Sequence, residues 1–283
     1  MTSIREAITK YTKVLSCAGI DDPRLEVEIL LSYAVNQERI YLFAHQDEPI
    51  GEKSLKILCE ACERRTEREP IAYIIGHKEF YDLDLIVTPE VMIPRPETEL
   101  LVAEVLNLHL GESESSNLVI AEPGTGSGAI SIVLAKQLDN VRIYSSDISA
   151  GALSIAEVNV SKFNVGDKVT LLKGHLISPL PEPPDVIVSN LPYIPSRRLP
   201  FLQPEIQWEP KLALDGGKDG LDLIKDLIHG ASDIETLRDI VLEIDCSQAE
   251  ALKAIVLREI PTASIEVIKD LSGLDRVISI HIS

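Results

Sequence analysis

From residue 118 onward, short apolar runs alternate with stretches of helical periodicity, and this alternation constrains the fold more than any other feature. The runs are 118–121, 141–146, 169–172, 185–189 and 239–244; helical stretches cover 129–138, 150–163, 221–228 and 248–258. Such strands pair in parallel and need helices over both faces, so the expectation is a doubly wound α/β sheet. Two closing runs, 264–268 and 276–282, are joined by a short connection through Gly273 and predict a final antiparallel pair.

The first 70 residues read differently. Asp21-Asp22-Pro23 supplies cap and first-turn chemistry for a helix whose apolar residues recur at helical spacing. Further helices are expected over 38–44 and 53–68, the second with Leu55, Leu58, Cys59 and Cys62 on one side. Short alternating runs then follow, punctuated by Gly76, Pro89, Pro94 and Pro96, and read as a hairpin. Three segments result: a small helical bundle at 1–70, a β-hairpin linker at 71–96, and a catalytic domain at 97–283. The last opens with a helix over 97–110 and a solvated turn over 111–117.

Asp and Glu number 45 against 27 Lys and Arg, a formal charge of −18. That field repels a phosphate backbone, so no direct nucleic-acid contact is expected, and Arg64-Arg65 and Arg197-Arg198 read as solvated surface. No stretch approaches the roughly 18 apolar residues of a membrane span. The opening residues lack the basic and apolar regions of a secretory signal, so the protein is expected in the cytoplasm, away from membranes. Four cysteines, Cys17, Cys59, Cys62 and Cys246, do not make a disulfide framework. Cys59 and Cys62 lack a second ligand pair, so no metal is expected and they read as buried helical thiols.

Glu122-Pro123-Gly124-Thr125-Gly126-Ser127-Gly128 lies directly after an apolar strand and directly before a helix, where a doubly wound sheet opens its ligand crevice. Backbone that turns sharply against a ligand excludes Cβ atoms, and the helix start behind it offers free N–H groups. The spacing is G-x-G-x-G, whereas dinucleotide enzymes use G-x-G-x-x-G. Asp147, about 20 residues on and at the end of the next strand, can accept both ribose hydroxyls of a nucleoside. This part of the site suits NAD and S-adenosylmethionine equally.

Ser189-Asn190-Leu191-Pro192-Tyr193 decides between them. A hydride-transfer enzyme has no use for this turn. An amide or aromatic amine nitrogen is a poor nucleophile because its lone pair is delocalised, and two acceptors aimed at its two N–H bonds draw that pair back. Asn190 Oδ1 and the Leu191 carbonyl are the expected acceptors, with Pro192 stiffening the turn and Tyr193 offering a face to the planar target group. S-adenosylmethionine is therefore the expected methyl donor. His45, His109, His229 and Trp208 read as surface or packing residues.

Several segments resemble the N5-glutamine methyltransferases of peptide-chain release factors, the HemK or PrmC family, over essentially the whole chain. They are 76–81, Ile93-Pro94-Arg95-Pro96-Glu97-Thr98-Glu99-Leu100-Leu101, 124–130, 189–194, 209–221 and 270–277. The resemblance implies a class I S-adenosylmethionine-dependent methyltransferase sheet behind an N-terminal helical domain that helps hold the protein substrate. It also implies that substrate: the Gln of the Gly-Gly-Gln loop in class I release factors. Cofactor-binding residues carried over are Glu122, Gly124, Thr125, Gly126, Ser127, Gly128, Asp147, Leu176 and Asn190. Departures are Leu191 where the family has Pro, Glu122 as a conservative change of the acid opening the strand-one motif, Gly174-His175-Leu176 where it has Gly-Asp before an aromatic residue near the adenine, and 243–248 where it has Glu-Ile-Gly. Asn-Leu-Pro-Tyr also resembles the turn of ribosomal RNA adenine dimethyltransferases, which keeps N6-adenine methylation of nucleic acid as the alternative.

Overall fold

The computed structural model describes residues 2–109 and 117–282, so most of the turn expected over 111–117 lies outside the described residues. The chain forms two compact units: residues 1–76 with 203–208, and residues 77–202 with 209–283.

The first unit is helical: α1 (Ile4–Cys17), α2 (Pro23–Val35), α3 (Arg39–Ala44), α4 (Glu52–Thr66) and α5 (Ile71–Ile75). A capping box starts α1, with the Glu6 N–H donating to Ser3 Oγ and the Ser3 N–H to Glu6 Oε2. Pro23 opens α2 as expected, but Asp22 sits at φ +48 and its side chain makes no cap bond. Ala7, Leu15, Val27, Leu30, Leu31 and Leu58 are fully buried and form the bundle's core. Residues 71–76 belong to this unit and not to a hairpin linker, because α5 buries Tyr73 and Ile74. Arg65 is a second correction. It is buried, and its guanidinium donates to Glu26 (2.6 Å) and Glu205 (2.9 Å), ion pairs that compensate its removal from water. Cys62 is buried and its thiol is pushed up to about 12, mainly by that burial; Cys59 is half-buried.

The second unit begins with a hairpin, β1 (His77–Phe80) and β2 (Leu83–Ile86), then a 3-10 turn at Pro96–Thr98 and helix α6 (Glu99–Leu108). Strands β3 (Leu118–Pro123), β4 (Val141–Asp147), β5 (Val169–Lys173), β6 (Val186–Ser189) and β7 (Asp239–Glu243) alternate with α7 (Ala129–Gln137), α8 (Ala150–Lys162) and α9 (Asp222–Ala231). Helix α10 (Ala249–Glu259) and strands β8 (Ser264–Lys269) and β9 (Asp275–His281) complete it. The sheet order is β5-β4-β3-β6-β7-β9-β8. All pairs are parallel except β7 with β9 and β8 with β9, so the last strand inserts between its two neighbours. β3, β6 and β7 are buried at every position, as strands covered on both sides must be. Val102, Val105, Ile132 and Leu134 pack one face; Ile224, Leu227, Leu252 and Val256 pack the other.

Strand order reverses between β3 and β6. In an open α/β sheet the chain diverges at that point above the carboxyl ends of the strands and leaves a crevice there.

Candidate active site

A cavity of about 270 Å³ occupies this crevice. Its floor comes from the loop after β3. Gly124 and Gly126 have φ of +74 and +56, backbone that L side chains rarely adopt. A Cβ on Gly124 would approach Leu191 Cδ2 to 3.1 Å, whereas one on Gly126 would meet nothing within 4 Å and face open space. The Gly124 and Thr125 N–H groups donate to the Ser146 carbonyl at 2.8 and 3.1 Å, tying the loop to β4. Beneath it Glu122 is buried, accepting hydrogen bonds from Thr125 Oγ1 (2.8 Å) and Ser145 Oγ (3.1 Å). Burial pushes its carboxyl up to about 7, against the opposing pull of hydroxyl donors from Ser131, Thr125 and Ser145.

Asp147 ends β4 on the cavity wall. One carboxylate oxygen accepts the Gly126 N–H at 3.0 Å and the other the Ser149 N–H at 2.8 Å. Each oxygen keeps a lone pair for a ligand hydroxyl. Leu176 also lines the cavity, held at φ +48, and its carbonyl accepts the Ser146 hydroxyl. His175 stands beside it on the lining.

On the other side the turn after β6 places Asn190, Leu191 and Pro192 on the lining. Asn190 Nδ2 donates to Thr98 Oγ1 at 3.0 Å, and Thr98 Oγ1 lies 2.7 Å from Glu243 Oε2. The Tyr193 hydroxyl donates to the other Glu243 oxygen at 3.0 Å. Glu243 is buried, which raises its carboxyl above the ordinary range, while Thr98, Tyr193 and Arg276 act the other way. A second tie crosses the rim. The Arg95 guanidinium pairs with buried Glu209, which also accepts the Ile93 N–H at 3.3 Å, and Pro210, Leu212 and Ala213 continue that wall.

The crevice therefore gathers Glu122, Gly124, Thr125, Gly126, Ser127, Asp147, Leu176, Asn190, Leu191 and Pro192. Two expected residues stand elsewhere. Gly128 is not on the lining; it precedes α7 at φ +81, with Ile132 Cδ1 3.2 Å from where its Cβ would be. Tyr193 follows directly after the lining residue Pro192; its hydroxyl donates to Glu243 and its half-buried ring packs against the apolar cluster that includes Ile187, Leu191 and Leu242. Thr98, Glu209 and Glu243 went unassigned from sequence. Glu243 carried a signal, a carboxylate at the carboxyl end of a strand whose interior, Ile240 to Leu242, is apolar. His109 is buried and His229 exposed, in keeping with packing and surface roles.

The donor set fits S-adenosylmethionine: open backbone at Gly126, a carboxylate for ribose hydroxyls at Asp147, and apolar Leu176 at the nucleoside end. Fold and site together define a class I S-adenosylmethionine-dependent methyltransferase. The N-terminal domain of human METTL16, solved in complex with SAH, shares the fold at a TM-score of 0.54, with 14% identity over 90% of this chain and 94% of that one. The description "PrmC N-terminal domain" matches residues 6–76, and "Methyltransferase small domain" matches 98–199. The release factor glutamine methyltransferase of Moorella thermoacetica is 39% identical, covering 97% of this chain and 96% of the relative. That of Geobacter sulfurreducens is 36% identical, covering 98% and 95%. The chain belongs to the release factor glutamine methyltransferase family.

Proposed function

We propose that this protein methylates the side-chain amide nitrogen of the glutamine in the Gly-Gly-Gln loop of class I peptide-chain release factors. The observation that carries the reading is Asn190, a residue of the cavity lining whose Nδ2 is taken by Thr98 while its Oδ1 has no partner among the described residues. Bound S-adenosylmethionine supplies an electrophilic methyl group on a sulfonium sulfur. Asp147 holds the ribose hydroxyls, and the Gly124–Gly126 backbone lets the donor lie close.

Asn190 Oδ1 and the Leu191 carbonyl accept the two N–H bonds of the substrate amide and draw its lone pair onto nitrogen. Nitrogen then forms one bond to the methyl carbon as the carbon–sulfur bond breaks, and the surplus amide proton leaves to water. Most of the acceleration comes from orientation in a crevice sealed by apolar Leu191 and Pro192. The helical unit is the region that grips the protein partner, and the cytoplasm, where translation terminates, is the compartment. No helix among the described residues is long and apolar enough to cross a membrane.

The base-methylation alternative is not favoured, since relatives matched over nearly the whole chain carry the glutamine name. The test uses labelled S-adenosylmethionine with a class I release factor, the same factor with its motif Gln changed to Ala, and undermethylated ribosomal RNA. Label on the unaltered factor alone is expected; label on RNA alone would overturn the reading.

A further inference from the structure

The mechanism above needs Asn190 one way round. Its amide has an oxygen end and a nitrogen end of nearly the same shape, and rotation about the last side-chain torsion exchanges them. With the nitrogen end inward, donor would face donor at the substrate amide.

The hydrogen-bond pattern behind Asn190 sets that choice. Thr98 Oγ1 lies 3.0 Å from Asn190 Nδ2 and 2.7 Å from Glu243 Oε2, and a hydroxyl has only one hydrogen to give. Ionised Glu243 accepts only, and its other oxygen already takes the Tyr193 hydroxyl, so the Thr98 hydrogen goes to Oε2. Thr98 is left with lone pairs to face Asn190, and only the NH2 end can meet them. The opposite orientation would set the Asn190 oxygen against the Thr98 oxygen with no hydrogen between them.

Position supports the same reading. Thr98 and Glu243 are 4% and 1% exposed, so water does not stand in for either partner. Asn190 follows β6 and Glu243 ends β7, neighbouring strands whose register pairs Ser189 with Leu242. Thr98 comes down from the turn before α6 to bridge them. Tyr193 anchors the far oxygen of Glu243 at 3.0 Å and so fixes its plane.

We propose that Thr98 and Glu243 are positioning residues that lock the Asn190 amide with Oδ1 turned into the cavity, an inference that rests on the methyl-acceptor reading of Asn190. Glu243 stands behind Asn190, and Thr98, which borders the cavity, acts through its bond to Asn190. The carboxylate sets the polarity of the relay and the threonine hydroxyl transmits it.

The test compares Thr98→Val, which keeps the shape and removes the hydroxyl, with Thr98→Ser, which keeps the hydroxyl. For Thr98→Val, kcat on the release factor is expected to fall about 100-fold, while KM for the factor and Kd for S-adenosylhomocysteine stay within about threefold. Thr98→Ser should restore most of the loss. A second readout needs no activity: hydrogen exchange of the Asn190 side-chain amide, its NMR signal assigned by absence in Asn190→Ala. Exchange should be slow in the wild type and in Thr98→Ser and fast in Thr98→Val. Wild-type kcat in Thr98→Val, equal damage to kcat, KM and Kd, or unchanged exchange would each overturn the proposal. Should the wild type label no release factor, the functional reading fails by itself, and the exchange comparison still decides whether Thr98 orients Asn190.

Discussion

The two halves of the crevice are built by different means. The nucleoside half is backbone: glycines at left-handed φ, N–H groups tied to the Ser146 carbonyl, and a carboxylate held by the backbone N–H groups of Gly126 and Ser149. The acceptor half is a relay of side chains far apart in sequence. Asn190 and Thr98 are separated by 92 residues, Thr98 and Glu243 by 145, and Arg95 and Glu209 by 114. A half made of backbone tolerates side-chain change and fails when its conformation is refused. A half made of relays fails when one polar atom is removed.

The largest expected effect lies in the acceptor half. Asn190→Ala removes one of the two proposed acceptors and should lower kcat about 1000-fold with cofactor affinity intact, measured by single-turnover methylation and calorimetry. A parallel loss of cofactor binding would erase the distinction between the halves.

Next comes Glu122, beneath the nucleoside half. Its carboxyl is raised from the ordinary 4.5 to about 7, so the folded chain holds a proton that the unfolded chain has released. The stability this gives is complete below pH 4.5 and is lost as pH rises through about 7. The loss is on the order of 3 kcal/mol. Urea unfolding of the ligand-free protein at about pH 5 and about pH 8 should show it in the wild type and not in Glu122→Gln. Equal pH dependence in the two would mean that burial does not govern this carboxyl.

Gly126→Val tests the backbone half. A β-branched residue at φ +56 costs about 2 kcal/mol, which should weaken S-adenosylhomocysteine binding about 30-fold while leaving kcat at saturation near wild type. The smallest effect is expected at Asp147→Asn. It exchanges one acceptor oxygen for a donor and should weaken the same binding about tenfold.

This difference also explains what was legible in the sequence. The glycine loop, Asp147 and the alternating elements are local patterns, and each falls where its pattern placed it. The antiparallel closing pair was legible, but the insertion of β9 between β7 and β8 was not, because strand order is set by packing across the whole sheet. Asn190 and Leu191 reach the lining together because one turn holds them both. The bonds of Thr98 and Tyr193 to Glu243 were not legible, since they exist only after three distant segments meet. Arg65 misled for the same reason: Glu205, its partner, lies 140 residues away.

The most direct measurement is transfer of label from S-adenosylmethionine to a class I release factor, read against the factor with its motif Gln changed to Ala. Labelling of the first and not the second is the predicted result. Equal labelling of both, or of neither with ribosomal RNA labelled instead, would contradict the account.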